Sequence, residues 1–294
     1  MLTPKEVLWK GLALASINPE ACKTEKQMIY KFKKEYGLEP LDVASVWYDL
    51  VVGQNDVASL LPKEISTRGF KMFLMAISFL WNAPKNCTAL SNKFKVGERN
   101  CRGAPFWYWV EKIAALKEKK IVWDDTGEEI FFVTVDGVDF KVWEPQHKTL
   151  NRDPKKMSHK CKHGAYKCEI AISVHRPQVM WISGPHDGGK NDYTIFKEEL
   201  ENKIPEGKLA ITDRGYGGQS KGKVSAPSAH DSKELNKFKA RARCRQETFN
   251  ARIKKFAAMA NDWRFGKEKH KLAFEATVVL CQYRMDNGYP LYDA

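Results

Sequence analysis

Nowhere among the 294 residues is there a run of eighteen apolar side chains, so no segment reads as a membrane-spanning helix and no membrane partner is expected. The seven cysteines, at 22, 87, 101, 161, 168, 244 and 281, include no Cys-x-x-Cys pair. That argues against a disulfide framework and a zinc ribbon, and suits reduced, intracellular thiols. Gly215, Gly217, Gly218 and Gly222 form a glycine-rich loop without the Gly-Lys-Ser/Thr ending of a nucleotide-binding P-loop. Lys5, Glu6 and Lys10 precede only a short apolar stretch, Gly11 to Ala15, so a cleaved secretory signal is not expected. No internal repeat is visible.

What the chain does have is enough apolar material for a core, 43% with 12% aromatic, and a formal charge of +13. Nearly all of that excess sits in two windows. Lys155 to Arg176 holds six Lys or Arg against one Glu, and Lys237 to Lys255 holds eight against one. Such concentration suits a surface that follows a phosphate backbone better than a solubilising coat. The second window lacks Gly and Pro and places Phe238, Ala242, Phe249, Ile253 and Phe256 on one side of a helical wheel, so it is predicted to be a helix with that side inward.

The first sixty residues alternate helical patterns with breaks at Gly37, Pro40, Gly53 and Pro62. Phe70, Phe73, Leu74, Ile77, Leu80 and Trp81 recur at helical spacing before Pro84. A short helix over Thr88 to Phe94 and a longer one from about Pro105 to Lys119 then give the outline of a helix-turn-helix, an outline many helical bundles share. After Asp124, Asp125, Thr126 and Gly127 the pattern turns strand-like, which places a domain boundary there: a helical region over 1–125 and an α/β region over 126–294. Strands are expected over Ile130 to Val135 and Val138 to Trp143, joined by Asp136-Gly137 as a hairpin turn. Further strands over Lys167 to Val174 and Val179 to Ser183, a helix from Asp192 to Asn202 and a strand from Lys208 to Thr212 complete an α/β layer.

Asp136 and Asp213 each close an apolar strand in this reading, and Glu247 lies 34 positions beyond Asp213 on the basic helix. Glu247 shares its stripe with Ala240, Cys244 and Ala251, small neighbours that would let the stripe lie over a sheet. Bare carboxylates within about 4 Å repel by roughly 4 kcal/mol at an effective dielectric near 20, so such a cluster needs cations. Hard oxygen donors call for Mg²⁺ or Mn²⁺, and two such ions can activate water and stabilise the leaving oxygen of a phosphodiester. The competing readings are a turn residue for each strand-end Asp and a surface ion pair for Glu247.

Four stretches, in order, resemble the DDE endonuclease domain of PIF/Harbinger transposases and the nucleases derived from them. Val133-Thr-Val-Asp-Gly-Val138 is similar to the first-aspartate strand, and the segment from Ser183 to Phe196 to the family's Gly-x-x-His-Asp segment. Ile211-Thr-Asp-Arg-Gly-Tyr-Gly217 resembles the second-aspartate loop, and Arg243 to Lys254 the Arg-x-x-x-Glu-x-x-x-x-x-x-Lys helix. Asn191 stands where the family has His, and Thr212 where it has Gly, yet all three acids remain. The resemblance implies a ribonuclease H-like fold and a catalytic triad of Asp136, Asp213 and Glu247. Asp192 becomes a further metal ligand beside them, with two Mg²⁺ or Mn²⁺ ions held. It also implies double-stranded DNA as substrate and a Myb-like DNA-binding partner protein; nuclear residence is expected from a DNA substrate together with basic clusters such as Lys237 to Arg245, and a homo-oligomer is expected.

Lys155, Lys156, Lys160 and Lys162 are expected to form a basic hairpin that holds a DNA strand, and Arg241, Arg243, Arg245 and Lys254 to contact phosphates beside Glu247. His159, Cys161, His163 and Cys168 are zinc ligands by type, but their spacing fits no usual finger. The alternative function is a domesticated DNA-binding protein that keeps the fold and cuts nothing; a ribonuclease on the same fold would differ only in substrate.

Overall fold

The computed structural model describes residues 2–51, 67–84, 87–124, 126–143, 154–216 and 222–294. The helical region opens with α1 (Pro4–Leu14), α2 (Glu25–Tyr36), α3 (Pro40–Val51) and α4 (Thr67–Asn82). It continues through α5 (Cys87–Phe94), α6 (Glu98–Arg102), α7 (Ala104–Ala115) and the short α8 (Lys117–Lys120). Gly37 and Pro40 separate α2 from α3 as the sequence suggests, whereas Gly53 and Pro62 lie outside the described residues. The chain then forms β1 (Phe131–Lys141), β2 (Met157–Ser158), β3 (His163–Ser173), β4 (Val179–Asp187), α9 (Asp192–Glu199), β5 (Leu209–Ile211) and β6 (Val224–Ser225). Three helices follow, α10 (Lys233–Ile253), α11 (Ala257–Ala260) and α12 (Lys267–Asp286).

Two compact units result. The first comprises Met1–Glu118, Lys255–Met259 and Leu272–Gly288; the second comprises Lys119–Lys254, Ala260–Lys271 and Tyr289–Ala294. In the first, Trp47, Phe70, Phe73 and Trp109 pack ring against ring. Most of the aromatics of α7 serve this core rather than a surface, with Phe106, Trp107 and Trp109 all buried. The C-terminal stretch belongs to this unit through polar ties: Tyr283 Oη donates to Asp49 Oδ2 at 2.5 Å, and Lys117 pairs with Glu275 at 2.7 Å.

The second unit is built on one mixed sheet. β1 and β4 flank β3 antiparallel, β5 lies parallel to β1, and β6 parallel to β5. Three antiparallel strands followed by two parallel to the first, with helices between, is a ribonuclease H-like arrangement. Val133 and Val135 face Phe196 and Leu200 of α9 and its following turn, while Ala242 of α10 packs with Val174 and Ile211. The helices therefore cover both faces, as expected where inward and outward residues alternate along each strand.

The predicted hairpin at Asp136-Gly137 does not form. β1 runs unbroken from Phe131 to Lys141, with Asp136 opposite Ile170 and Gly137 opposite Glu169 on β3. The preference of Asp-Gly for a tight turn is local, and it is overridden by the pairing with β3, which runs through both residues from Val133 to Lys141. Gly137 has another use: a Cβ there would lie 2.7 Å from Asp192 Oδ1, so glycine leaves the Asp192 carboxylate room where it stands.

Candidate active site

Asp136 is thus a mid-strand residue, and the parallel pairing with β5 explains its neighbour. Thr134 lies opposite Ile211; two residues further along each chain come Asp136, still inside β1, and Asp213, just past the carboxyl end of β5, the end at which open α/β sheets place their ligands. Asp213 is shaped by its own loop: Oδ1 accepts from Gly215 N at 2.8 Å as the chain enters a 3-10 turn over Arg214–Tyr216.

Helix α10 supplies the third side. It is capped by Ser232, whose side chain accepts from Leu235 N, and its inward face carries Ala242, Gln246, Phe249, Asn250 and Ile253. Gln246 Oε1 accepts from Thr134 Oγ1 at 2.7 Å, and Asn250 Nδ2 donates to Asp136 Oδ2 at 2.8 Å. These two amides fasten the helix to β1 beside the acid. Sequence reasoning missed both, although each lies within a turn of Glu247 on the inward face. The expected small stripe does not lie on the sheet: Ala240, Cys244 and Ala251 are exposed, because the larger side chains at 246, 249 and 250 take the buried face. Glu247 itself is exposed.

Asp136, Asp213 and Glu247 nevertheless line one cleft of about 350 Å³, together with Lys160, Arg243 and Lys254. Arg243, Glu247, Asn250 and Lys254 follow an i, i+4, i+7, i+11 spacing, which puts them along one side of α10. Burial pushes the Asp136 carboxyl up to about 6; Lys160 opposes the shift, while Asp192 and Asp213 add to it. Asp192 does not line the cleft. Its carboxylate abuts Gly137, is 2.6 Å from Lys167 Nζ, and sits at the start of α9, where Asn191 Oδ1 caps Tyr193 N at 2.9 Å.

Below this lies a second polar group that sequence reasoning missed. Glu169 is fully buried on β3 and accepts from Tyr216 Oη at 2.9 Å through Oε1, while its Oε2 has no hydrogen-bond partner. Burial pushes its carboxyl up to about 8, the Tyr216 hydroxyl opposes this, and the charges of Asp192, Glu199 and Asp136 reinforce it. A glutamate in the middle of an apolar strand, opposite Gly137, was the only signal available.

The remaining predicted residues divide. Lys155, Lys156, Lys160, Lys162 and Arg241 are exposed, and of these only Lys160 lines the cleft. Arg245 is a correction: it is buried, and its guanidinium donates to the backbone carbonyls of Ser173, Val174 and Arg176, so it faces the sheet and not a phosphate. Among the described residues no group of three or more His, Cys, Asp or Glu is gathered to hold an ion. Of the four His and Cys residues near β3, Cys168 is buried and His163 Nδ1 lies 3.0 Å from Gly164 O. As a donor set, three carboxylates on one cleft suit Mg²⁺ or Mn²⁺, since all are hard oxygens. They line one cavity without being gathered into a cluster, and the charge of Asp213 adds to the cost of ionising Asp136, a repulsion that a divalent cation there would relieve.

Residues 135–282 match the family model described as DDE superfamily endonuclease. The match takes in the first aspartate, the second, the glutamate helix and most of α12, and the chain belongs to that family. No curated protein and no solved structure gives a significant match.

Proposed function

We propose that the chain is a divalent-metal-dependent DNA endonuclease of the transposase type, with PIF/Harbinger transposases as the subtype its motifs resemble. The observation that carries this is the cleft itself: Asp136, Asp213 and Glu247 share one cavity with Lys160, Arg243 and Lys254, acids within a basic rim. Asp136, Asp213 and Glu247 would hold two Mg²⁺ or Mn²⁺ ions, and Asp192 would assist by its charge or as a further ligand. Bound ions of this kind supply an activated water and charge compensation for the departing 3′ oxygen. The chain's own contribution is placement. Asn250 holds one oxygen of Asp136, Gly215 holds one of Asp213, and the basic side chains grip phosphates of a DNA duplex without reading bases. In a full transposase the freed 3′-hydroxyl would then attack target DNA. A homo-oligomer, a Myb-like DNA-binding partner and nuclear residence belong to this proposal.

Plasmid cleavage in Mg²⁺ or Mn²⁺ tests it. Wild-type protein is expected to nick or linearise the plasmid, and Asp213→Asn to lose at least a hundredfold; equal activity in both would remove the mechanism. The second reading, a DNA-binding protein that cuts nothing, is favoured by one observation: no closed three-ligand cluster exists among the described residues. That reading expects duplex binding without cleavage under any divalent ion.

A further inference from the structure

Four lysines make up the basic segment before β3, but only Lys160 enters the lining of the acidic cleft. It stands at the tip of a turn closed by several hydrogen bonds. Ser158, almost wholly buried, donates through Oγ to Asp139 Oδ2 at 2.7 Å and accepts from Cys161 N at 3.1 Å. Lys162 N donates to Ser158 O at 2.9 Å, and Lys162 adopts φ +51°, a left-handed conformation that non-glycine residues rarely take. The other end of the segment is clamped as well. Gly189 N donates to Lys155 O at 2.9 Å, while the neighbouring Gly188 N donates to Ala165 O of β3, also at 2.9 Å. A Cβ at either glycine would come within 2.8 Å of those backbone oxygens.

Asp139 is the informative member. It lies on β1, three residues beyond Asp136, and is 9% exposed. Only one of its oxygens is bonded, to Ser158; Oδ1 is buried with no hydrogen-bond partner. A half-satisfied buried carboxylate costs stability, and an apolar residue would fill a strand position at less expense. The tie to Ser158 has one evident consequence, which is to fix the turn from Ser158 to Lys162 against the strand that carries Asp136. At its tip the Lys160 ammonium makes no ion pair among the described residues, and it lines the same cleft as Asp136, Asp213 and Glu247.

Resting on the nuclease reading above, we propose that Lys160 contacts the phosphate at the point of cleavage, and that Asp139 and Ser158 are positioning residues that hold it there. A cation presented by a fixed turn beside the reacting phosphorus would meet the negative charge that grows as water adds and the 3′ oxygen departs. Lys155, Lys156 and Lys162, outside the cleft lining, would meet only flanking phosphates. The bonds made and broken are those of phosphodiester hydrolysis, and Lys160 transfers no proton in it.

The test is single-turnover cleavage of a duplex by the full chain in Mg²⁺ or Mn²⁺, with duplex affinity measured in parallel and folding checked by thermal melts. Lys160→Ala is expected to lower the cleavage rate constant about a hundredfold, the scale of one lost transition-state donor, while affinity falls less than about tenfold. Ser158→Ala is expected to slow cleavage about tenfold in the wild-type background and to have no further effect on Lys160→Ala, the coupling of residues that act as a unit. Asp139→Asn, which still accepts from Ser158, should recover most of what Asp139→Ala loses; this arm serves if Ser158→Ala fails to fold. Three results would overturn the assignment: unchanged cleavage by Lys160→Ala, equal losses in rate and affinity, or a Ser158→Ala effect of the same size in both backgrounds. Absence of cleavage by the wild type would overturn the nuclease reading, and the assignment with it.

Discussion

Glu169 shows what burial does to a single acid. With its carboxyl raised to about 8 from the ordinary 4.5, it keeps its proton in the folded chain at neutral pH and gives it up on unfolding. The folded state therefore binds the extra proton between those two values, and stability falls as pH rises through that window. Below about pH 4.5 both states are protonated and the penalty is gone. Glu169→Gln presents the same acceptor to Tyr216 and cannot ionise, so it is expected to stabilise the protein by a few kcal/mol at pH 8 and by little at pH 4. Thermal melts of both proteins across that range would check this; a gain independent of pH would contradict a buried proton. Gly137 is the other residue where local and tertiary demands meet. Gly137→Ala must push Asp192 away from its ion pair with Lys167, and is expected to cost about 1–3 kcal/mol by urea titration.

Helix α10 carries two arginines two positions apart that do opposite jobs. Composition treats Arg243 and Arg245 alike, but a 100° step per residue turns them to different sides. Arg243 lines the cleft, while Arg245 spends its guanidinium on three carbonyls. Arg245→Ala is therefore expected to destabilise by about 3 kcal/mol, because the carbonyls it serves lose their donor in a buried setting. Arg243→Ala should leave the melting temperature within about a degree or two, weaken duplex binding, and lower the salt slope by about 0.9. Thermal melts and anisotropy titrations at several salt concentrations separate the two. The helix and its inward side were legible from Ala242, Phe249 and Ile253. Their periodicity could not show that Gln246 and Asn250 would share that face and bond to β1.

At the scale of the whole molecule, the first unit is assembled from three separated stretches, 1–118, 255–259 and 272–288. Its hydrogen bonds include Tyr283 to Asp49 and Asn287 to Asp42, made by residues more than two hundred positions apart. A fragment ending at residue 125 would lack those partners and leave the buried Asp42 and Asp49 without them. It is expected to be unfolded or aggregated, with rapid proteolysis and no cooperative melt, whereas adding back 255–294 in trans should restore helicity by circular dichroism. The charge belongs to this scale too. With +13 over the chain and its excess in two windows, duplex affinity is expected to fall steeply with salt, by about 0.9 log units per log unit of salt for each phosphate neutralised.

By itself the amino-acid sequence determined the three acids, the basic helix that carries one of them and the family to which they belong, because those rest on residue type and spacing along the chain. It also marked the change from helical to strand periodicity near residue 126. Only the folded chain decided that Asp136 sits inside a strand, that Arg245 is buried, and that Asn250, Gln246 and Glu169 surround the acids. Each depends on which strand or helix lies alongside, and pairing between distant segments outweighs a local preference such as that of Asp-Gly for a turn. The grouping of 272–288 with the first unit has the same origin, since burial is settled by what surrounds a side chain in space and not by what adjoins it in the chain.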